Sequence, residues 1–509
     1  MSAARRALLL AAVGAVALAA RLHQIDEPNL WGDEFLSLRA SSGWERDEPR
    51  FPMDVLVESP PVPTHLRDAR PWWRTWTALD GYSHPPFYFL VLRAWREAFG
   101  ESDAAARLLS VAWGMAGLAL VFVLARRMHG DAVALWACLL FALAAPQVRY
   151  AQEARMYTMV TALVLAAAAV AGWAPPPCLA LRRLVALAVL CLAAMLTHFH
   201  AAGPLAGIVL YAWWRHPGRR WRLGAAVFAS AAAFALFWGP FLARQWRAVL
   251  LPAVWQRHDA GQGEALLRLF ALPGALLTEA ESWRSGSLAA AAALLVVTVA
   301  GTRRTELRLW SLVLAAHAAL LATLDVLLPA HQLAFMRYSL AAGPAVCVLA
   351  AAALADRRGW IRHAPPAVAA VLALASLPRA YERPRPEWRA YADGLRGMGR
   401  DGDPVVLLRM PANEHRRLYV AIAHYGWPAR SPVMVVRDGP AGDEAARLWR
   451  TGWAWVLGAE QPPGRRSVGV RLAEALPQAE VRAQLVAAGL PPCRRVALRG
   501  RDGPSSPPP

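Results

Sequence analysis

Residues 108–147 read LLSVAWGMAGLALVFVLARRMHGDAVALWACLLFALAAPQ. An apolar run, an Arg pair, a short polar turn and a second apolar run follow in order. Each run spans roughly 17–18 residues, enough to cross a hydrocarbon layer as a helix. Comparable stretches lie near 7–22, 156–174, 184–199, 201–214, 223–242, 286–301, 309–328, 339–355 and 364–378. Together they predict a polytopic α-helical membrane protein with about 11 transmembrane helices. Composition agrees: 57% of the 509 residues are apolar even without Gly, and 18% are charged, against about 25% in soluble domains.

The formal charge of +19 looks like that of a nucleic-acid binder, but its placement excludes that partner. All 55 basic residues are Arg, and many sit in turns between apolar runs: Arg5/Arg6, Arg126/Arg127, Arg182/Arg183, Arg215/Arg219/Arg220/Arg222, Arg303/Arg304/Arg308 and Arg357/Arg358/Arg362. These turns share one side if the N-terminus is inside, as the positive-inside rule requires. The longer segments 23–107, 243–285 and the tail from 379 then face outward. The first span is short and ends in small residues, a pattern shared with a cleaved signal peptide. Cysteines at 138, 178, 191, 347 and 493 lack disulfide or metal spacing and read as packing residues.

Residues 1–378 form the expected membrane domain. The tail reads as a small α/β domain over 379–500, with strands at 404–408, 431–436, 453–458 and 494–498, helical stretches at 442–450 and 473–488, and a disordered tip at 501–509.

Span interiors are nearly free of ionisable groups. His317 is the one titratable residue near mid-span, with Asp325 toward the outer end of the same helix. Polar residues gather instead at the outer helix ends and in the first outer loop, where 14 acidic residues stand against 10 Arg over 21–107. Chemistry is therefore expected at the outer boundary. The loop opens with Trp31-Gly32-Asp33-Glu34. Adjacent carboxylates diverge by about 100° on a helix, so Asp33 and Glu34 have separate tasks. Arg70–Trp76 (RPWWRTW) suits an interfacial helix. Tyr82-Ser83-His84-Pro85-Pro86 holds His84 at a rigid helix start. After the third span comes Arg149-Tyr150-Ala151-Gln152-Glu153-Ala154-Arg155-Met156-Tyr157, and before the tenth comes Arg337-Tyr338. His198 and His200 reach the same side. Guanidinium groups converging on one outer cavity make a phosphate clamp.

The blocks WGDEFLSLRA, YSHPPFYFLVLRAWREAFGESDAAARLLSVAWG, RYAQEARMYTM and, more loosely, FMRYSLAAGPA resemble the GT-C superfamily of membrane glycosyltransferases. The resemblance is to the branch holding the protein O-mannosyltransferases and aminoarabinose transferases, and covers about residues 1–380. It implies transfer of a sugar from a polyprenyl-phosphate carrier to a glycan, lipid or protein acceptor at the outer face of a bacterial inner membrane. Asp33 then resembles the general base that deprotonates the acceptor hydroxyl in one inverting displacement, with Glu34 beside it. His84, Glu153, Arg155, Tyr157, Arg337 and Tyr338 fall around the sugar and phosphate. The superfamily has members with and without a divalent cation. No local metal-site spacing is present here, so no obligatory metal or cofactor is expected. The competing reading is a transporter or polymerase of lipid-linked envelope glycans, for which broken helices near the midplane are expected and none is evident in the sequence.

Overall fold

A computed structural model describes residues 2–52, 55–172, 180–246, 262–279, 304–327 and 332–382. Beyond these it describes 385, 388–390, 392–393, 404–408, 414–426, 432–436, 453–457, 471–474 and 493–499. The chain divides into two compact units, one built from residues 1–27 with 79–383, the other from 28–78 with 384–509.

The first unit is helical. Among the described residues five helices are long and apolar enough to cross a membrane: Ala3–Leu22, Asp103–His129, Pro217–Gln245, Arg308–Leu327 and Gly359–Ala380. A sixth candidate is the bent pair Asp131–Leu143 and Ala145–Gln152, and Tyr157–Gly172, Leu267–Thr278 and Met336–Ala352 are shorter apolar helices. The expected span at 286–301 lies outside the described residues.

Local chemistry sets the helix ends. The Ser102 hydroxyl accepts the Ala105 N–H at 3.1 Å, with Asp103 in the first turn to oppose the macrodipole. At the other end Gly130 takes a φ of +87° and donates its N–H to the Arg126 carbonyl, reversing the chain into Asp131–Leu143. That reversal collects charge: Asp131 pairs with Arg126 at 2.9 Å and Arg6 at 3.1 Å.

The break between Asp131–Leu143 and Ala145–Gln152 is a bend of 62°. Pro146 cannot donate to the Ala142 carbonyl four residues back, so the ladder opens there. Arg21 closes it. Buried completely, its guanidinium donates to the carbonyls of Phe141 at 3.2 Å, Ala142 at 3.4 Å and Ala17 at 3.0 Å. The Gln152 amide donates to the carbonyls of Ala20, Arg21 and His23, so the end of the first helix is satisfied by the far side of the same break. No broken helix was evident in the sequence, and this one is seen only in the structure.

Ala202–Arg215 and Arg308–Leu327 approach closely because Gly203 and Gly207 lie four apart on one face. A Cβ on Gly203 would stand 2.7 Å from His317 Nδ1, and one on Gly207 2.6 Å from Val313 Cα and against the Leu312 carbonyl. The Gly207 neighbours are backbone, which cannot step aside. Gly207→Ala is accordingly expected to cost about 3 kcal/mol or more through overpacking. A melting curve in detergent unchanged from wild type would overturn this.

The second unit holds a six-stranded sheet of β1 (Leu56–Val57), β2 (Val405–Leu408), β3 (Val433–Val436), β4 (Trp453–Leu457), β5 (Arg471–Glu474) and β6 (Cys493–Arg499), in the order β1-β3-β2-β4-β6-β5. The central β3-β2-β4 strands are parallel and the outer pairings antiparallel. Runs such as VVLL and VMVV are uniformly apolar, the composition usual for parallel strands at the centre of a sheet. The four strands read from the sequence are present. Arg471–Glu474 is a strand where a helix was expected from 473, because it pairs with β6; the rest of that stretch, and 442–450, lie outside the described residues.

The unit takes its other half from the first outer loop. Gly32–Ser41 is a helix, and β1 adds an antiparallel edge to β3. Phe51 meets Tyr419 edge-on at 4.9 Å, the Tyr419 hydroxyl donates to the carbonyls of Pro60 and Pro61, and the Leu30 N–H donates to the Tyr425 hydroxyl. Arg70–Trp76 supplies only one helical turn, Arg74–Thr77, rather than the interfacial helix expected. Its basic residues are engaged locally, Arg70 over the Trp44 ring at 4.1 Å and Arg74 with Glu45 at 2.9 Å, while Trp73 is 65% exposed.

Candidate functional site

In the first unit, three separate chain reversals bring polar residues to one place. The loop before Phe87–Phe99 is pinned by Gln245, whose amide donates to the carbonyls of Leu79 at 2.9 Å and His84 at 3.3 Å. Pro85 and Pro86 then start the helix, and the Phe87 N–H donates to the Leu196 carbonyl, tying this loop to the His198 turn. The segment Glu153–Met156 is buried throughout, fixed by the Ser110 hydroxyl on the Arg155 carbonyl at 3.0 Å. The third reversal, Gln332–Ser339, is held by the Asp325 carboxylate, which accepts the N–H groups of Gln332 and Leu333.

These loops set a cluster of rings and guanidiniums. Arg155, 2% exposed, donates Nη2–H to His84 Nε2 at 2.7 Å and lies over the Tyr157 ring at 5.7 Å. The His84 and His198 rings are 5.0 Å apart. His198 in turn lies 5.7 Å from Tyr157, 5.9 Å from Tyr338 and 5.0 Å from His200, and His200 stacks flat on Tyr338 at 4.5 Å. Half-buried Arg337 rests over the rings of Phe335 and Tyr338.

Charge follows from this geometry. Burial, then the nearby Arg155 guanidinium, His198 and Arg337, hold His84 well below the usual imidazole range. His198 is depressed likewise by burial, His200, Arg155 and Arg337, and burial brings His200 down to about 4. At neutral pH the site therefore carries two permanent guanidinium charges and three uncharged imidazoles, and among the described residues no carboxylate is a leading influence on those rings. Such a site suits an anion with several oxygens.

Of the residues singled out in the sequence, His84, Arg155, Tyr157, Arg337 and Tyr338 meet here. Glu153 is buried one turn earlier, within electrostatic reach of Arg149 and Tyr150, and Arg149 pairs with the buried Glu279 at 2.5 Å. His198 joins the cluster directly, and Gln332, which contacts His200 at 2.9 Å, and Gln245 were missed. The His-x-His spacing at a helix end was the available signal for the histidines; neither Gln had one.

Asp33 and Glu34 belong to the second unit. Both lie in the first turn of Gly32–Ser41 and diverge as expected. Glu34 is fully buried, accepts the Trp31 N–H at 3.2 Å and pairs with Arg385 at 2.5 Å, a residue that also donates to the Asn29 carbonyl. Asp33 stays partly exposed. Among the described residues no group of three or more His, Cys, Asp or Glu is placed to hold a metal ion.

No protein-family profile and no curated protein matches this sequence. Solved structures do. The apo crystal structure of ArnT from Cupriavidus metallidurans superposes with a TM-score of 0.55 at 16% identity, covering 98% of both chains. The same protein bound to undecaprenyl phosphate gives 0.56, again at 16% identity and 98% coverage of each. The Archaeoglobus fulgidus oligosaccharyltransferase is more distant, with a TM-score of 0.43 at 12% identity over 85% of this chain and 64% of that one. The chain therefore shares its overall fold with ArnT.

Proposed function

We propose that the protein transfers a sugar from a polyprenyl-phosphate carrier to an acceptor hydroxyl at the outer face of the membrane. The observation that carries this reading is the Arg155–His84 contact, with Arg337 and two further imidazoles around it. A phosphate diester bears one negative charge and, once the sugar leaves, a monoester bearing up to two. Fixed guanidiniums stabilise the second charge more than the first, and that difference lowers the barrier. The neighbour with this fold is itself known bound to undecaprenyl phosphate.

Sidedness rests on the Arg pattern. Arg6 and Arg126 meet Asp131, Arg304 meets Asp356, and Arg308 lies over Trp214 at the helix ends carrying the basic turns. Arg155 precedes Tyr157–Gly172 and His198 follows Leu181–Met195, each at the end away from the Arg182/Arg183 turn, which is the outer side under the positive-inside rule, and His84 meets both there. In this reading Asp33, partly exposed at a helix start, is the general base, and attack by the acceptor oxygen inverts the anomeric centre. Glu34, engaged by Arg385, positions the helix that carries it. The acceptor class stays at envelope glycan, lipid or protein, and no metal is assigned a role.

The transporter reading gains the break at Ala144, but the carbonyls freed there are already occupied by Arg21. One assay separates the two. Membrane vesicles containing the protein, supplied with polyprenyl phosphate carrying a labelled sugar and with envelope extract, are expected to release one polyprenyl phosphate for each sugar transferred. Movement of intact lipid-linked sugar without phosphate release would overturn the glycosyltransferase reading.

A further inference from the structure

The hydrogen bonds in the cluster decide where two imidazole protons reside. A guanidinium only donates, so His84 Nε2 must accept from Arg155 Nη2 at 2.7 Å. The ring's proton is then on Nδ1, which is buried and has no partner among the described residues. In His198 the pattern is reversed. The backbone N–H of His200 donates to His198 Nδ1 at 3.1 Å, which puts that ring's proton on Nε2, again buried and without a partner. His200 Nδ1 also faces His198 Nδ1 at 3.3 Å, and can join as a second donor if Gln332, 2.9 Å from His200 Nε2, turns its amide NH2 toward that ring.

Among the described residues two N–H groups on rings 5.0 Å apart thus have no acceptor, in a place where leaving one unmet is costly. The cluster borders solvent at His84 and His200, both partly exposed. The charged and titratable groups acting on His84 are Arg155, Arg337, His198 and His200; those around His198 are His84, Arg155, Arg337, His200, His317, Tyr157 and Tyr338. None is a carboxylate that would draw either ring into its charged form.

We infer that His84 Nδ1–H and His198 Nε2–H are two neutral, tautomer-fixed donors to the oxygens of the lipid phosphate, oriented by Arg155 and by the His200 turn. This rests on the reading of the site as the carrier-phosphate site and assigns His198 a positioning role there. The donors orient the phosphate while Arg155 and Arg337 supply the charge. Affinity is set by which ring nitrogen bears the proton, and not by imidazolium formation.

Amide side chains test the atom directly, since Gln reproduces a donor at the Nε2 position and Asn one at Nδ1. Binding of a short-chain polyprenyl phosphate to the full-length protein in detergent is measured by calorimetry, with melting temperatures confirming that each variant folds. H198Q and H84N are expected to bind within about threefold of wild type, and H198N, H84Q and both Ala variants at least about tenfold more weakly. The ratio of wild-type to H198Q affinity is expected to stay flat from about pH 6 to 8, the range in which an ordinary imidazole would titrate; the ligand's own ionisation cancels in that ratio. Equal affinities for H198Q and H198N, or a ratio climbing as pH falls, overturn the donor assignment while leaving the carrier-phosphate reading in place. Wild-type protein with no affinity for the lipid phosphate overturns both.

Discussion

Arg155→Ala is expected to lower the rate of sugar transfer by about a hundred- to a thousand-fold, the usual loss when one preorganised donor to a developing anion is removed. Arg155 is 2% exposed, so its charge acts on the departing phosphate through little water. It also holds His84 Nε2, so its loss frees that ring to exchange tautomers. Because the second negative charge appears only as the sugar departs, the fall belongs in kcat more than in KM. Arg155→Lys restores a charge but neither the planar fork nor the reach to His84, and is expected to recover only a minor part of the rate. Single-turnover transfer in vesicles, compared at equal amounts of folded protein, measures this. An Ala variant retaining a tenth or more of wild-type kcat would remove Arg155 from the leaving-group site.

The helical body was legible because a membrane leaves few alternatives: apolar length, Arg in the turns and a Ser102 or Gly130 at a helix end are all local signals. Strands β2, β3, β4 and β6 were legible for a similar reason, being short runs between turns. What escaped depends on residues far apart in sequence. Arg21 looked like the first loop's edge, and nothing nearby announces that Pro146, more than a hundred positions on, opens the carbonyls that bury it. The two-residue β1 at Leu56–Val57 is too short to carry a pattern, and it exists because β3 offers it an edge. In the site, His84 and Arg155 could be nominated by residue type and position, but their 2.7 Å contact is a product of the Gln245 and Ser110 anchors on either loop. Gly203 and Gly207 went unread in the sequence, because two glycines four apart make a close seat for the His317 helix only once the partner helix is known.

Asp33 and Glu34, adjacent and alike in charge, are expected to separate cleanly by experiment. Asp33→Asn is isosteric and leaves the first turn of Gly32–Ser41 intact, so the melting temperature should stay within about 2 °C of wild type. If Asp33 takes the acceptor's proton, the amide cannot replace it, and transfer should fall by about a hundred- to ten-thousand-fold. Glu34→Ala does the opposite kind of damage. It strips the partner from the Arg385 guanidinium, which is 6% exposed, and the acceptor from the Trp31 N–H. Breaking a buried pair from one side costs about 3–5 kcal/mol because the remaining charge is left uncompensated. The double variant Glu34→Gln with Arg385→Met removes both charges together and is expected to regain more than half of that loss. Thermal unfolding in detergent and vesicle transfer assays on the same preparations read the two axes separately. Near-wild-type transfer by folded Asp33→Asn would end its assignment as the base, and a Glu34→Ala variant as stable as wild type would end the claim that Glu34 anchors the helix on which Asp33 sits.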